Sequence, residues 1–133
     1  MTTEGLSPGT LRDALTDVGV ELTAGETAGY VEFESDLNLN ALAIGLGLEN
    51  IEYEPERFPG LIYHVDQPMT TAVLFANGVI ATVDGIDEQT VTDAILTVIE
   101  RGEELGLIEI DSTPSVNVTV ESIPVADILE IEE

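Results

Sequence analysis

The sequence contains no cysteine and no lysine, and each absence excludes a class of protein. Without cysteine there is no disulfide framework, thiolate nucleophile or thiolate metal site. The basic residues are Arg12, Arg57 and Arg101 alone; they face 27 acidic residues, for a formal net charge of -24. Apolar residues still make up 44% of the 133 positions, whereas disorder goes with low hydrophobicity. The chain is therefore expected to fold as one domain around a single core.

The missing lysine favours a protein from a cytoplasm with molar salt. At about 1 M salt the screening length is about 3 Å, so the mutual repulsion of the carboxylates fades. The alternative is an acidic protein that avoids nucleic acid. We expect no signal peptide in the first residues, because they lack a basic region followed by an apolar run, and no apolar run approaches the roughly 20 residues that span a bilayer. We expect a soluble, cytoplasmic protein with no membrane partner, since an acidic chain is repelled by anionic lipid.

The first half of the chain alternates helical and strand patterns. Ser7-Pro8 is typical of a helix start, and Gly19 would end that helix. A connection over 21–28, a strand over 30–34, a helix with apolar positions between 39 and 46, and a polar loop over 50–57 are predicted next.

The second half predicts three antiparallel strands, over about 61–65, 70–76 and 79–83, with Asn77-Gly78 as a two-residue hairpin turn. Asp87 should cap a long helix that ends near Gly106. One strand is predicted around 107–110 and a half-buried strand over 116–120, before an acidic end over 123–133 that is a short helix or a tail. The pattern predicts an α+β domain, with helices packed on one face of a curved antiparallel sheet, plus a short N-terminal helix and a C-terminal extra strand.

One irregular stretch is similar to a known signature. Residues 53–63, Tyr-Glu-Pro-Glu-Arg-Phe-Pro-Gly-Leu-Ile-Tyr, resemble a segment found once in each of the two repeats of TATA-binding proteins (TBPs), and 73–80 resemble the hairpin that follows it. The resemblance implies a single TBP-like repeat over 29–106. The N-terminal helix and its connection then occupy 1–28, and the C-terminal strand and acidic tail occupy 107–133.

The resemblance also implies a function in archaeal transcription. In that family two phenylalanines per repeat enter the minor groove of A·T-rich DNA and kink it. The matching residues are Phe58 and Phe75 as wedges, Val73 as a groove-facing position, and Asn117 as a reader of base edges. A homodimer would restore the four wedges of a two-repeat protein. The alternatives are that both rings belong to the buried core and that Asn117 is an ordinary exposed strand residue.

Several positions depart from the family pattern. Val79 and Ile86 stand where family repeats carry basic residues, and His64 and Met69 replace two further basic positions. Phosphate contacts supply much of the affinity for DNA, so these losses weaken the expected interface. They favour a second hypothesis: a protein-interaction module that keeps the fold, contacts basal transcription proteins and binds no DNA. In that case the strand over 115–122 could cover the sheet edge where a second repeat would pair.

Catalysis is not expected. His64 is the single histidine and lies on a predicted strand, and no serine or threonine stands in a nucleophile motif. The run Asp84-Gly85-Ile86-Asp87-Glu88 lacks the spacing of a calcium-binding EF-hand loop. The sequence therefore predicts no enzyme, no cofactor and no metal site.

Overall fold

The computed structural model describes residues 7–23, 25–33, 36–54, 56, 58, 60–66, 69–108, 116–118 and 123, except for the side chain of Leu48. The elements follow in the order α1 (Pro8–Asp17), β1 (Thr27–Glu32), α2 (Leu39–Leu46), a 3₁₀ turn (Leu48–Asn50), β2 (Ile51–Glu52), β3 (Gly60–Asp66), β4 (Met69–Phe75), β5 (Val79–Gly85), α3 (Glu88–Glu104) and β6 (Asn117–Val118).

The strands form one open, six-stranded antiparallel sheet in the order β2-β3-β4-β5-β1-β6. The centre is the predicted meander, in which Gly60 pairs with Phe75 and Val73 pairs with Ala81. Gly78 makes the hairpin turn at a φ of 96°, a conformation that glycine adopts without strain. The predicted α+β class, the three central strands and their antiparallel pairing are confirmed.

Side-chain caps fix where the helices begin. The hydroxyl of Ser7, the amide oxygen of Asn38 and the carboxylate of Asp87 each accept a backbone N–H bond from the first turn of α1, α2 and α3. These bonds satisfy donors that a helix leaves unpaired at its N-terminus. Asp87 was predicted as a cap from the sequence, and α3 ends at Glu104, close to the predicted end.

Helices α2 and α3 pack against one face of the sheet, which we call the α3 face. Its core is apolar and consists of residues from four strands and both helices: Val31, Leu61, Tyr63, Val65, Ala72, Leu74, Ile80, Leu39, Leu42, Ala43, Leu46, Val91, Ile95, Val98 and Ile99, with Leu37 and Ile108 beside them. This is the layer that the sequence predicts.

The opposite face of the sheet, which we call the α1 face, is also covered. Leu11 and Leu15 of α1 are buried with Val20 and Ile123 against the apolar side chains of this face: Ala28, Phe58, Ile62, Val73, Phe75, Val79, Ala81 and Val83. All seven residues of β5 are therefore buried. The domain therefore has three layers: α2 and α3, the sheet, and α1.

The edges differ in detail from the predictions. β1 begins at Thr27 and not at Tyr30, because Thr27 pairs with Gly85 across an irregularity in the ladder. The loop predicted over 50–57 contains the short edge strand β2, and Leu107 and Ile108 are not in a strand. Ile110, Val120 and the C-terminal residues 124–133 lie outside the described part of the chain.

At the other edge, β6 pairs with the outer side of β1, with Gly29 opposite Val118 and Tyr30 opposite Asn117. Gly29 permits this approach: a Cβ atom there would lie 2.6 Å from Val91 Cγ1 and 2.9 Å from the Asn117 carbonyl oxygen. None of the helices in the described ranges combines the length and apolarity needed to cross a bilayer.

Candidate nucleic-acid interface

Three of the four residues predicted to contact DNA meet at one point of the α1 face. A Cβ atom on Gly60 would lie 2.8 Å from Val73 Cγ1, 2.9 Å from Phe58 Cε2 and 3.1 Å from Phe75 Cε1. The two phenylalanine rings are tilted by 54°, with their centroids 6.1 Å apart, a favourable geometry for an aromatic pair. The missing side chain at Gly60 therefore makes room for a compact cluster of the predicted wedges.

This cluster is buried. Phe58 is 4% exposed, and Phe75 and Val73 are fully buried, in the same apolar layer as Leu11 and Leu15 of α1. In this arrangement both rings are core residues, as in the alternative that the sequence leaves open. Entry of either ring between base pairs requires the residues that bury this layer, α1 among them, to move away first. The wedge role itself stays a prediction.

Asn117 lies on the same face but outside the covered area. Its neighbours on β6, Val116 and Val118, pack toward the α3 face, so strand alternation directs Asn117 to the opposite side. Its cross-strand partner Tyr30 packs against the α1 face, and Asn117 is exposed. All four predicted residues thus share one face of the sheet, and three of them are buried in the layer that includes α1.

Polar contacts hold the N-terminal segment to the end of β5. The Arg12 guanidinium donates to the Val83 carbonyl at 2.7 Å and to the Glu26 carbonyl at 2.6 Å. The Thr23 backbone N–H donates to Asp84 Oδ2 at 2.9 Å, and the Thr23 hydroxyl donates to the Asp84 carbonyl. Arg12 is thus engaged within the fold, whereas a DNA-binding arginine would present its guanidinium to phosphates.

The charged groups around the face are mostly acidic. Glu52 and Glu54 line a small pocket of about 50 Å³ beside Phe58, and Val18 lines the same pocket from the end of α1. Glu52 also contacts His64, at 2.7 Å between Oε2 and Nε2. Arg101 lies on α3, across the sheet, and Arg57 lies outside the described residues. This surface offers carboxylates where a DNA backbone would need cations.

Asp84 is a structural residue that sequence analysis missed. Its carboxylate is fully buried and accepts the Thr71 N–H on Oδ1 at 2.9 Å, just beyond the last described β4–β5 pair, Ala72 with Thr82. The carboxylate thus replaces a strand as the acceptor for β4. The sequence signal was a charged residue inside an otherwise uncharged strand, Val79–Gly85, where burial requires partners.

The described residues contain no group of three or more histidine and carboxylate side chains that could hold a metal ion. The one histidine, His64, is partly exposed beside Glu52.

Comparison with known proteins identifies relatives of the central region. The family model described as transcription factor TFIID, or TATA-binding protein, matches residues 27–101. A TATA-box-binding protein of Haloarcula marismortui is 45% identical over 89 residues, which are 67% of this chain and 48% of that protein. Its counterpart in Natronomonas pharaonis is 51% identical over 74 residues, 56% of this chain and 40% of that protein.

The fold has a solved counterpart. The Methanococcus jannaschii TBP superposes with a TM-score of 0.61 at 23% identity, over 74% of this chain and 55% of that chain. The chain spans about half the length of the curated relatives that it matches. The matched region begins at Thr27, so α1 lies ahead of it.

Proposed function

Because the chain belongs to the TATA-binding protein family, we propose that it is a transcription factor of a halophilic archaeon that works through protein contacts and binds no DNA while α1 covers its sheet. Its setting is a cytoplasm with molar salt, and its partners are basal transcription proteins. The observation that carries the proposal is the burial of Phe58 and Phe75 in the layer that α1 shares with this face of the sheet. A wedge needs an exposed tip, and neither ring has one in this arrangement.

The side of the domain opposite α1 offers a surface for such contacts. Ile44 on α2 is 78% exposed and Leu105, at the end of α3, is 40% exposed. Gly45, the residue after Ile44, lies close to Leu105, since a Cβ atom there would be 2.7 Å from Leu105 Cδ1. Large apolar side chains exposed on one side of a domain are a common feature of protein-binding surfaces.

The test is capture of transcription proteins from a halophilic archaeal extract in multimolar KCl, identified by mass spectrometry. The wild-type chain should recover basal transcription proteins, and Ile44→Asp should lose them. Asp93→Asn, which changes an exposed carboxylate on α3, is the matched control. Recovery of no transcription component by the wild-type chain would contradict the proposal. Equal recovery by wild type and Ile44→Asp would contradict the proposed contact surface.

A second candidate function is binding of A·T-rich DNA in the minor groove by a homodimer. It is favoured by the common face of Phe58, Val73, Phe75 and Asn117, which places two rings and one amide on the same side of the sheet. Insertion of the rings would unstack a base step at a few kcal/mol, offset by contacts with the bent duplex. Two copies would supply the four wedges, but pairing through β1 requires β6 to leave its edge.

This candidate is tested by titration into a fluorescent A·T-rich duplex in multimolar KCl. Asn117→Ala is the informative variant, because the residue is exposed and its replacement leaves the core intact. Phe58→Ala and Phe75→Ala would each remove about 3–5 kcal/mol of stability, so their loss of binding alone is ambiguous. Saturable binding that Asn117→Ala weakens, with two chains per duplex by sedimentation, supports the candidate. No binding by wild type or by a variant with α1 opened refutes it.

A further inference from the structure

The region that matches the family contains most of the sheet and of the α3-face core, and α1 lies outside it. Residues 27–101 contain strands β1 to β5, helix α2 and nearly all of α3, and the apolar layer of the α3 face lies almost entirely inside them. α1 contributes only Leu11 and Leu15 as buried side chains. An isolated helix of ten residues is unstable in water, so α1 is helical because it lies on the sheet.

The hydrogen bonds from α1 and the segment after it reach the sheet at one place. Arg12 binds the Val83 carbonyl, and Thr23 binds the carboxylate and carbonyl of Asp84. Elsewhere the contact of α1 with the sheet is apolar, through the leucines and the partly buried Ala14 and Val18. We call α1 a cover of this face, and we call the hydrogen bond from Arg12 of α1 to the Val83 carbonyl, at the end of β5, its latch.

The cover changes what the domain offers to a ligand. With α1 in place, the outer surface of this side carries the exposed carboxylates of Asp13 and Asp17. Beneath α1 the sheet residues are apolar, with the paired rings of Phe58 and Phe75 at one end. Departure of α1 would remove its two carboxylates from this side and expose an apolar layer with two rings, bordered by Glu52 and Glu54.

We propose that α1 is an intramolecular cover that opens as a unit and competes with A·T-rich duplex DNA for the α1 face. Closing of α1 and binding of DNA are mutually exclusive, so the apparent affinity equals the affinity of the open form multiplied by its population. The competition rests on the second candidate function above, whereas the opening of α1 is a property of the chain alone.

Opening is measured with single cysteines, for which the natural chain has no background. Ala81 on β5 is buried on the α1 face, and Ala72 on β4 is buried on the α3 face. Local opening of α1 exposes the first site and leaves the second protected. In multimolar KCl without denaturant, the Ala81→Cys thiol should react with an alkylating reagent at least tenfold faster than the Ala72→Cys thiol, after correction for the stability of each variant. Equal rates would mean that α1 leaves only with global unfolding and would overturn the proposal.

Competition is measured with Arg12→Ala, which removes the latch, beside Asp13→Ala, which removes an exposed charge from the same helix. Arg12→Ala should speed labelling of the Ala81→Cys thiol and tighten binding to an A·T-rich duplex by the same factor. Asp13→Ala should change the labelling rate and the DNA affinity by smaller factors. Loss of a cation alone would weaken DNA binding, so a gain reports uncovering.

The outcomes separate the two proposals. Faster labelling with no DNA binding by any variant keeps the cover and refutes the DNA function. Faster labelling with DNA affinity equal to that of wild type keeps both opening and DNA binding but refutes their competition. Unchanged labelling of the Ala81→Cys thiol in the Arg12→Ala background refutes the latch.

Discussion

Replacement of Asp84 with alanine removes the acceptor for two backbone N–H groups at the end of β5. The Thr71 N–H, in a buried contact, and the Thr23 N–H, in a partly buried one, each lie 2.9 Å from a carboxylate oxygen. The Thr82 hydroxyl also approaches Oδ1, at 3.2 Å, but its single proton has a shorter path to the Thr71 carbonyl, at 2.8 Å. Its loss should therefore matter less than that of the two backbone bonds.

An unsatisfied buried donor costs about 1–3 kcal/mol, with the lower end for Thr23 because water reaches it more easily. Removal of a buried charge returns part of this, since its desolvation penalty disappears. We expect Asp84→Ala to lower the free energy of unfolding by roughly 2–4 kcal/mol. Asp84→Asn should lose about 1–3 kcal/mol, because its amide oxygen still accepts one N–H bond while its NH₂ group faces the other donor.

The measurement is urea denaturation in multimolar KCl, with Asp17→Asn on the exposed side of α1 as the control, expected within about 0.5 kcal/mol of wild type. The order of stability should be wild type, Asp84→Asn, Asp84→Ala. Two Asp84 variants that both match the Asp17 control would refute the reasoning, because the buried carboxylate would then hold neither donor.

Three further predictions concern α1, the cap of α3 and the charge. Leu15→Ala should lower the free energy of unfolding by about 2–5 kcal/mol in urea denaturation, because it leaves a cavity in a buried layer. The control Thr16→Ala, at an exposed position of α1, should change it by close to zero. Similar values for both variants would mean that α1 is not packed against the sheet. The hydrogen bonds from the Thr90 side chain and backbone hold the pKa of Asp87 below its ordinary value of 3.8. The ionised Asp87 cap therefore stabilises the folded protein fully above the pKa that Asp87 has in the unfolded chain, and this stabilisation is lost as the pH falls through its lower folded pKa. Thr90→Ala should raise the Asp87 pKa in an NMR titration. An unchanged pKa would contradict the contact. Dilution from multimolar to about 0.1 M KCl lengthens the screening length to about 10 Å, so urea midpoints should fall; a rise would refute the halophilic interpretation.

Local signals predicted much of the fold because local chemistry determines it. The caps Ser7 and Asp87, the turn at Asn77-Gly78 and the stop at Gly106 each act within a few residues, and each lies where the sequence placed it. β2 was missed because two residues carry no usable period, and the start of β1 was missed because pairing with Gly85 is a long-range effect.

The position of α1 on the second face of the sheet could have been predicted from the central strands. In β4 and β5 apolar residues stand at successive positions, as in Ala72-Val73-Leu74-Phe75, and such runs are typical of strands buried on both faces. Leu11 and Leu15, four residues apart, supply a helical stripe that must bury against something. Together they indicate a helix on the second face. The family resemblance pointed to DNA on that face, and the chain's own helix lies there.

Gly29 shows which related chains can close their own sheet. The approach of β6 depends on the absence of a side chain at this position, since a Cβ atom would meet both the Asn117 carbonyl and Val91 of α3. A single-repeat relative with any larger residue there must shift its last strand or leave the β1 edge unpaired. The residue at this one position therefore sorts such relatives, from sequence alone, into those whose C-terminal strand can dock as β6 does and those whose edge stays available to another chain.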